Sequence, residues 1–382
     1  MRKGIVILIL AAVVAALALA AAPAAQAAPT EVHGWTLNRL YAEPGNGHFE
    51  MERISLSAAK DVDTDISTYI EWYYHHWMNR NPSAGSPWFL DSAYANYKDK
   101  NGNQLRFGKG RNMCFGIVPA YGNRRHSEYG LVSETMTQER IVGLQYFGTF
   151  PDKKVGFGIA VHNSMPPGTR FSGTDQAYFR GDPVVPHLAD KGEGKNLAVS
   201  ARLTYPVVQG GKLGLSFRTG ELRSTDIAFL ASKDLVAPGT TDDTNRRWGL
   251  DFDYKCPKGF VAQAEYYGAS ASTLDFKTWD VLLGFEPQNP TGVKFYARYG
   301  KLDLDPEVVT RVVIPSELPP RQVTASTYTW DQKQLILSAV KPLRKGKPVW
   351  LQLEFIKNME NPPAGIAEVD NDVLFLELFT GF

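Results

Sequence analysis

Apolar and polar residues alternate along most of this 382-residue chain. A period of two is typical of β-strands with one buried face, because successive side chains of a strand point to opposite sides. Almost no segment shows the 3.6-residue period of an amphipathic helix. We predict sixteen strands, over residues 32–42, 48–59, 67–79, 88–99, 103–116, 139–150, 154–164, 196–208, 212–223, 246–256, 260–271, 275–287, 292–304, 325–342, 348–358 and 371–382.

The connections between these strands alternate in length. Those after even-numbered strands are short and rich in turn-forming residues, as in "KDKNGN" and "VQGGK". Transmembrane barrels have short periplasmic turns and long extracellular loops, and an even strand count leaves both chain ends in the periplasm. The pattern therefore predicts an all-β fold, a 16-stranded antiparallel transmembrane β-barrel over residues 28–382. Long connections follow several odd-numbered strands, at residues 117–138, 165–195, 224–245, 305–324 and 359–370.

The alternation also separates two faces on each strand. In the predicted strand 196–208, Leu197 and Leu203 lie on one face, and Ser200 and Arg202 lie on the other. A charge that faces lipid costs a few kcal/mol at the membrane midplane, so the polar faces must turn inward. Sixteen strands form a ring too wide for side chains to fill, which predicts an aqueous channel.

Two regions fit this alternation less well. In the strand 325–342, Leu335 and Leu337 share a face with Asp331 and Lys333, which requires a bulge or a strand end that stands clear of the membrane. The first three strands, with the run "YIEWYYHHW", show little contrast between their faces. Burial against another subunit would explain that weak contrast.

The chain ends give further expectations. Residues 1–27 have the cationic start, apolar run and small-residue site of a cleaved signal peptide, so we expect export. Its removal leaves 355 of the 382 residues and takes away Arg2 and Lys3, so the net charge falls from +1 to −1. No basic excess for nucleic acid remains. The last residue, Phe382, is expected at the periplasmic interface, on a final strand that pairs with the first.

Motifs for catalysis or metal binding are lacking. The sequence contains no G-x-S-x-G, H-E-x-x-H, Walker or G-x-G-x-x-G motif, so we expect neither an enzyme nor a cofactor. His75 and His76 are neighbours on a strand and face opposite sides, so they form no common metal site. Cys114 and Cys256 are expected near opposite ends of the barrel, which predicts two free thiols.

The predicted loop 117–138 is the main functional candidate. Folded into the lumen, its charges would form a narrow constriction that selects ions by size and sign; on the outside it would be an ordinary surface loop. The residue pattern leaves both open. The candidate constriction residues are Tyr121, Arg124, Arg125, His126, Glu128 and Glu134.

Three stretches resemble a known family. "HFEMERISLSAAKDVDTDISTYIEWYYHHW", "WFLDSAYANYKDKNGNQLRFGKGRNMCFG" and "ERIVGLQYFG" are similar to segments of the Gram-negative phosphate-selective porins O and P, although "RNMCFG" lacks the family's proline. The resemblance covers about residues 31–160. It implies a homotrimer in the outer membrane, a loop 117–138 that enters the pore, and a terminal Phe382 read by the barrel-assembly machinery.

Relatives that select anions line the channel with basic residues. The inward faces here carry both signs, so the resemblance implies only a weak preference for anions such as phosphate. We interpret the chain as a passive diffusion porin for small hydrophilic solutes or ions. The alternatives are an outer-membrane transporter of apolar compounds and a non-conducting barrel that serves as an enzyme or adhesin. The predicted lining residues are Arg106, Arg202, Arg218, Arg247, Lys294, Arg298, Asp251, Asp253, Glu265, Asp280 and Glu354.

Overall fold

Strands dominate the structure, a computed structural model that describes residues 29–42, 47–75, 88–118, 125–137, 140–151, 154–163, 197–306, 311–314, 321–324, 329–362, 367–368 and 372–382. The predicted signal peptide, the loop 165–195 and His76 lie outside the described residues. The strands are β1 (Glu31–Tyr41), β2 (His48–Asp61), β3 (Ile66–His75), β4 (Trp88–Lys98), β5 (Gln104–Arg111), β6 (Arg140–Thr149), β7 (Gly156–Asn163), β8 (Leu197–Val208), β9 (Gly211–Glu221), β10 (Thr244–Lys255), β11 (Phe260–Ala271), β12 (Leu274–Phe285), β13 (Lys294–Asp305), β14 (Arg311–Ile314), β15 (Arg321–Thr324), β16 (Gln332–Pro342), β17 (Val349–Glu360) and β18 (Val373–Gly381). Among the described residues of the connections lie one α-helix, α1 (Ser224–Ser232), and one π-helical turn, Ser133–Thr137.

Sixteen of these described strands close into one antiparallel barrel. Each pairs with its neighbours in chain order, β1 pairs with β18, and β13 pairs with β16 across a separate hairpin formed by β14 and β15. Closure leaves no open strand edge, whose backbone N–H and C=O groups would find no hydrogen-bond partner in lipid. The predicted 16-stranded antiparallel barrel is confirmed.

The connections differ between the two ends of the barrel. At one end they are short, with residues 62–65, 99–103, 209–210 and 256–259 as examples. At the other end lie longer segments, including 112–139 and 222–243, the second of which contains α1. No helix in the described ranges has the length and apolar character needed to cross a membrane.

The two faces of the wall follow the predicted alternation. Leu197 and Leu203 of β8 are exposed on the outer surface, while Ser200 is fully buried on the inner side. The inner side also carries the buried Arg218 of β9 and Arg247 of β10. Apolar side chains therefore cover the outside and polar ones the inside.

Of the two explanations offered for the strand 325–342, the structure shows no bulge among the described residues there. Strand β16 begins at Gln332 and keeps a regular register with both neighbours, so Lys333 is an exposed residue at the strand end and Asp331 precedes the strand. Register shifts occur instead in β2, β4 and β8, where the strand register skips Glu52, Asp91 and Val207. A bulge puts two consecutive side chains on one side. This explains the weak contrast between faces in the first strands.

The last residue completes the barrel seam. The backbone N–H of Gly34 donates to the Phe382 carbonyl (3.0 Å), and the Phe382 N–H donates to the Gly34 carbonyl (2.9 Å). A side chain at Gly34 would collide with the Phe382 ring. The ring is 67% exposed on the outer surface, as an interfacial aromatic residue should be.

Deletion of Phe382 should lower the yield of folded barrel in the membrane more than the conductance of each assembled barrel, because it removes the last pairing of the seam. The yield is measured on semi-native gels. The control is Phe107→Ala, which truncates an aromatic side chain of the same exposure, 68%, away from the seam. Equal yields for the two variants would contradict an assembly role for Phe382.

Candidate functional site

The loop after β5 turns into the barrel. Strand β5 ends at Arg111 rather than near residue 116 as predicted. The Asn112 side chain donates from Nδ2 to Ser200 Oγ (3.0 Å) on β8, and the Gly116 N–H donates to Ser216 Oγ (2.9 Å) on β9. Both serines are buried on the inner face. The loop therefore leaves its own strand and crosses the inside of the neighbouring wall.

Gly116 allows this path. Its φ of +66° is left-handed, and a side chain there would collide with Thr137 and the Tyr267 hydroxyl.

Cys114, expected at a strand end, is fully buried beside Ile141 and is not bonded to Cys256.

Beyond residues 119–124, the loop reaches the opposite wall. Glu354 of β17 accepts two backbone hydrogen bonds, from the Ser127 N–H to Oε2 (2.8 Å) and from the Glu128 N–H to Oε1 (2.9 Å). The Ser127 hydroxyl hydrogen-bonds with Glu377 of β18. All these carboxylates are buried. The loop thus spans the lumen from β8 and β9 to β17 and β18.

Arg39 of β1 connects the loop to the barrel seam. Its guanidinium forms ion pairs with Glu128 of the loop (Nη1 to Oε1, 2.7 Å) and Glu377 of β18 (Nε to Oε2, 3.0 Å). Nη2 donates to Ser127 Oγ (2.8 Å), and the group lies 4.1 Å from the centre of the Phe375 ring. The three charged side chains are at most 2% exposed. Loss of one partner from a buried pair of this kind strongly destabilises the folded protein, because the other charge stays buried without compensation.

Arg125 anchors the loop near the end with short turns. Its Nη1 lies 3.3 Å from Asp253 Oδ1, its Nε lies 3.5 Å from Glu286 Oε1, and its carbonyl accepts from Ser338 Oγ (2.9 Å). Glu286 also binds Lys255. Burial acts to raise the pKa of Glu286, but the Lys255 ammonium and the other donors outweigh it, so the pKa is lowered and the carboxylate stays ionised.

His126 contributes no charge at neutral pH. It is buried, with Nδ1 3.6 Å from Glu354 Oε2 and its ring edge-on to Tyr296. Burial lowers the pKa of His126 and outweighs the carboxylate, with Arg298 and Arg125 adding to the lowering. The sequence grouped His126 with the charged loop residues, but only Arg125, Glu128 and Glu134 of the described candidates carry charge. Tyr121 and Arg124 lie outside the described residues.

The loop returns through an apolar cluster. Leu131 and Met136 pack with Phe115, with Leu230 of α1 and with Tyr267 of β11. Next to it, the buried π-helical turn Ser133–Thr137 contains Glu134. Arg247 donates from Nη1 to the carbonyls of Met136 (3.2 Å) and Thr135 (3.4 Å). This end of the loop is therefore held by both apolar packing and an arginine of the wall.

Several predicted lining residues form one row across the wall. Asp251, Glu265 and Asp280 lie opposite one another on β10, β11 and β12. Arg202 binds Asp251 through two hydrogen bonds (2.6 and 2.7 Å), and Arg298 lies 3.9 Å from Asp280. Arg218 pairs opposite Arg247 in the β9–β10 ladder. Lys294 stands apart, at the first position of β13.

Arg106 has a different environment. Its guanidinium lies 4.0 Å from the centre of the Tyr94 ring and 5.1 Å from that of Phe147. Among the described residues it has no carboxylate partner.

Sequence reasoning missed part of the inner surface. Arg39, Glu52 and Arg53 face the loop, and Asp91 pairs with Arg140 (2.7 Å). Arg39 shares its face with apolar residues, and Glu52 and Asp91 lie at bulges that shift the alternation. The available signal was the presence of charged residues in strands that otherwise look apolar. In the described ranges, no group of three or more His, Cys, Asp or Glu residues is arranged to hold a metal.

Comparison with known proteins places the fold. No family model and no curated protein matches the sequence. OmpF of Salmonella typhi in complex with daunomycin aligns with a TM-score of 0.57 and 11% identity, over 92% of this chain and 97% of that chain. The outer membrane channel DcaP of Acinetobacter baumannii gives 0.56 and 12%, over 95% and 100%. The trimer form of OmpT of Vibrio cholerae gives 0.55 and 11%, over 93% and 99%. These similarities show the fold of outer-membrane porins.

Arg39→Met should lower the free energy of unfolding by about 3–5 kcal/mol, because Glu128 and Glu377 lose their buried partner. It should also release the loop, measured as faster trypsin cleavage after Arg125. Lys301→Met is the control, since it breaks an ion pair within β13, between Lys301 and Asp303, rather than one that holds the loop. Equal trypsin protection in both variants would show that Arg39 does not hold the loop.

His126 should make the barrel less stable in acid. Its pKa is lowered by folding, so below about pH 6.5 the unfolded chain binds a proton that the folded state resists. The free energy of unfolding should fall between about pH 7 and pH 5, and His126→Gln should reduce that slope. The measurement is urea unfolding at each pH. An unchanged slope would mean that other groups control the acid response.

Proposed function

We propose that the protein is a passive diffusion channel for small hydrophilic solutes or ions across the outer membrane. The observation that carries this proposal is a loop tied by buried ion pairs inside a barrel with a polar inner surface. Such a loop narrows the lumen without filling a ring of sixteen strands, which is the geometry of a selective constriction. Passage needs no covalent step and no cofactor. The porin fold supports the proposal.

The membrane location follows from the outer surface. Leucines and aromatic residues cover the outside of the wall, including Leu215, Leu250 and Leu353 at mid-strand and Phe260 and Phe295 near strand ends. This surface suits lipid, whereas water would make it aggregate. The signal-like N-terminus is consistent with export to the outer membrane.

A weak preference for anions is the selectivity we propose, with phosphate as one candidate solute. The carboxylates of the inner surface are mostly engaged: Asp251 binds Arg202, Asp253 faces Arg125, and Glu354 accepts two backbone N–H groups. Arg106 is half-buried, and its guanidinium lies against an aromatic ring. No carboxylate among the described residues pairs with it, so its positive charge is not cancelled. The resemblance to phosphate-selective porins agrees with this preference.

A homotrimer is the proposed assembly. Strand β1 places Asn38 and Thr36 on the outer face, where Asn38 Nδ2 donates to Thr36 Oγ1 (3.5 Å) and lipid would offer no partner to the amide oxygen. Thr36 already bonds with Thr380 of β18 (2.7 Å). A neighbouring subunit would cover this polar strip, and OmpT of Vibrio cholerae is described in a trimer form. The mass of the intact assembly in detergent tests the proposal, and a monomer would contradict it.

A non-conducting barrel is the second candidate. The loop contacts opposite walls, and Arg218, Arg247 and Glu354 are at most 1% exposed, as they would be in a filled lumen. Conductance separates the two candidates.

Purified protein in a planar bilayer should give discrete ohmic current steps with a reversal potential weakly on the anion side. Arg106→Ser should lower the anion-to-cation permeability ratio, by at most about fivefold, since a unit charge a few Å from an ion in water contributes about 1 kcal/mol. Arg246→Ser, at an exposed outer position, is the control and should change nothing. A protein that folds but passes no current would refute the channel.

A further inference from the structure

An apolar groove runs across the outer wall, away from the loop. Its volume is about 740 Å³, and it crosses β11, β12, β13, β16 and β17. Ala297 and Ala339 form its floor at diagonal positions of β13 and β16, where their small side chains leave space between larger neighbours. Ala262 also lines the groove, on the other side of Leu283. Adjacent strands are about 4.8 Å apart, so the groove spans about 19 Å across the strands. This length suits one acyl chain that lies obliquely within one leaflet.

One end of the groove opens at the rim with short turns. Phe260 is the first residue of β11, Phe285 is the last of β12, and Phe295 lies at the start of β13. These three rings border the groove where the turns 256–259 and 286–293 begin. Aromatic residues at this depth are typical of the boundary between lipid tails and headgroups.

The turns at this rim carry an excess of positive charge. Lys258, Arg344, Lys345 and Lys347 lie on the turns 256–259 and 343–348, and all four are exposed. None of them forms an ion pair within the described part of the chain. Lys341 shares the outer face of β16 with Ala339 and donates to the Thr291 carbonyl of the next turn (2.6 Å).

Negative charge at the same rim is already engaged. The turns 256–259, 286–293 and 343–348 contain a single carboxylate, Glu286, which binds Lys255 and Arg125. The turn 62–65 elsewhere on this rim has the opposite character, with Asp63 and Asp65 and no basic residue. The positive charge is therefore greatest beside the groove, although Lys100 and Lys154 lie on other short turns of this rim.

We propose that this groove and the basic turns beside it bind one anionic phospholipid of the periplasmic leaflet. One acyl chain lies in the groove over Ala297 and Ala339, and the phosphate contacts the basic turn 343–348. Lys258, at the turn on the other side of the groove, adds to the positive potential of this rim. An anionic headgroup is attracted by clustered lysine and arginine at a membrane surface, whereas a zwitterionic one has no net charge to attract. The inference rests on the proposed membrane location and is independent of conductance.

Native mass spectrometry of the intact protein in detergent tests this site. Phosphatidylglycerol should remain bound at one molecule per barrel, at least tenfold more than phosphatidylcholine with the same chains. The triple variant Arg344→Ser, Lys345→Ser, Lys347→Ser should remove the preference. The matched control, Lys98→Ser, Lys100→Ser, Lys212→Ser, removes the same charge from the end of β4, the turn 99–103 and the start of β9 at the same rim, and should keep it. Equal retention of both lipids by the natural protein would overturn the proposal.

A second pair of variants tests the groove itself. Ala297→Leu with Ala339→Leu fills the floor and should reduce bound phosphatidylglycerol severalfold, while Ala201→Leu, on the outer face of β8, should not. Unchanged binding of phosphatidylglycerol in the filled groove would contradict the placement of the acyl chain there. A conducting barrel without bound lipid would refute this site alone, and a lipid-binding barrel without conductance would refute the channel alone.

Discussion

The ion pair between Arg39 and Glu377 couples closure of the barrel to the position of the loop. The two residues lie opposite each other on β1 and β18, the strands that form the seam. The same guanidinium binds Glu128 and the Ser127 hydroxyl of the loop. Closing the seam therefore creates the site that holds the loop, and neither carboxylate could be buried at low free energy without the arginine.

The remaining contacts of the loop follow from the width of the ring. A barrel of sixteen strands has no close-packed centre, so an inner loop must find its partners along the wall. This loop does so at three places: Glu354 accepts its backbone N–H groups, Arg125 reaches Asp253, and Arg247 holds the π-helical turn. Polar side chains of the inner wall thus have a structural use, and in the proposed channel their pairing reduces the charge that a passing ion meets.

The outside of the wall follows a different rule. Apolar side chains cover most of the outside, but their size varies, and alanines among larger neighbours leave a groove. Basic turns lie next to that groove, and the acidic turn 62–65 lies elsewhere on the same rim. Away from the polar strip of β1, the outer surface is therefore mostly apolar but uneven in shape and charge, which is the condition for the proposed binding of one lipid in preference to others.

The sequence by itself determined the strands, their two faces and the alternation of short and long connections. These features depend on residues a few positions apart, so the period of two in strands such as β8 and β10 is enough to read them. Only the tertiary structure decided the path of the loop, the bulges at Glu52 and Asp91, the partners of Arg39 and the neutral state of His126. Each of these depends on contacts between residues far apart in the chain and on burial, and neither leaves a periodic signal in the sequence.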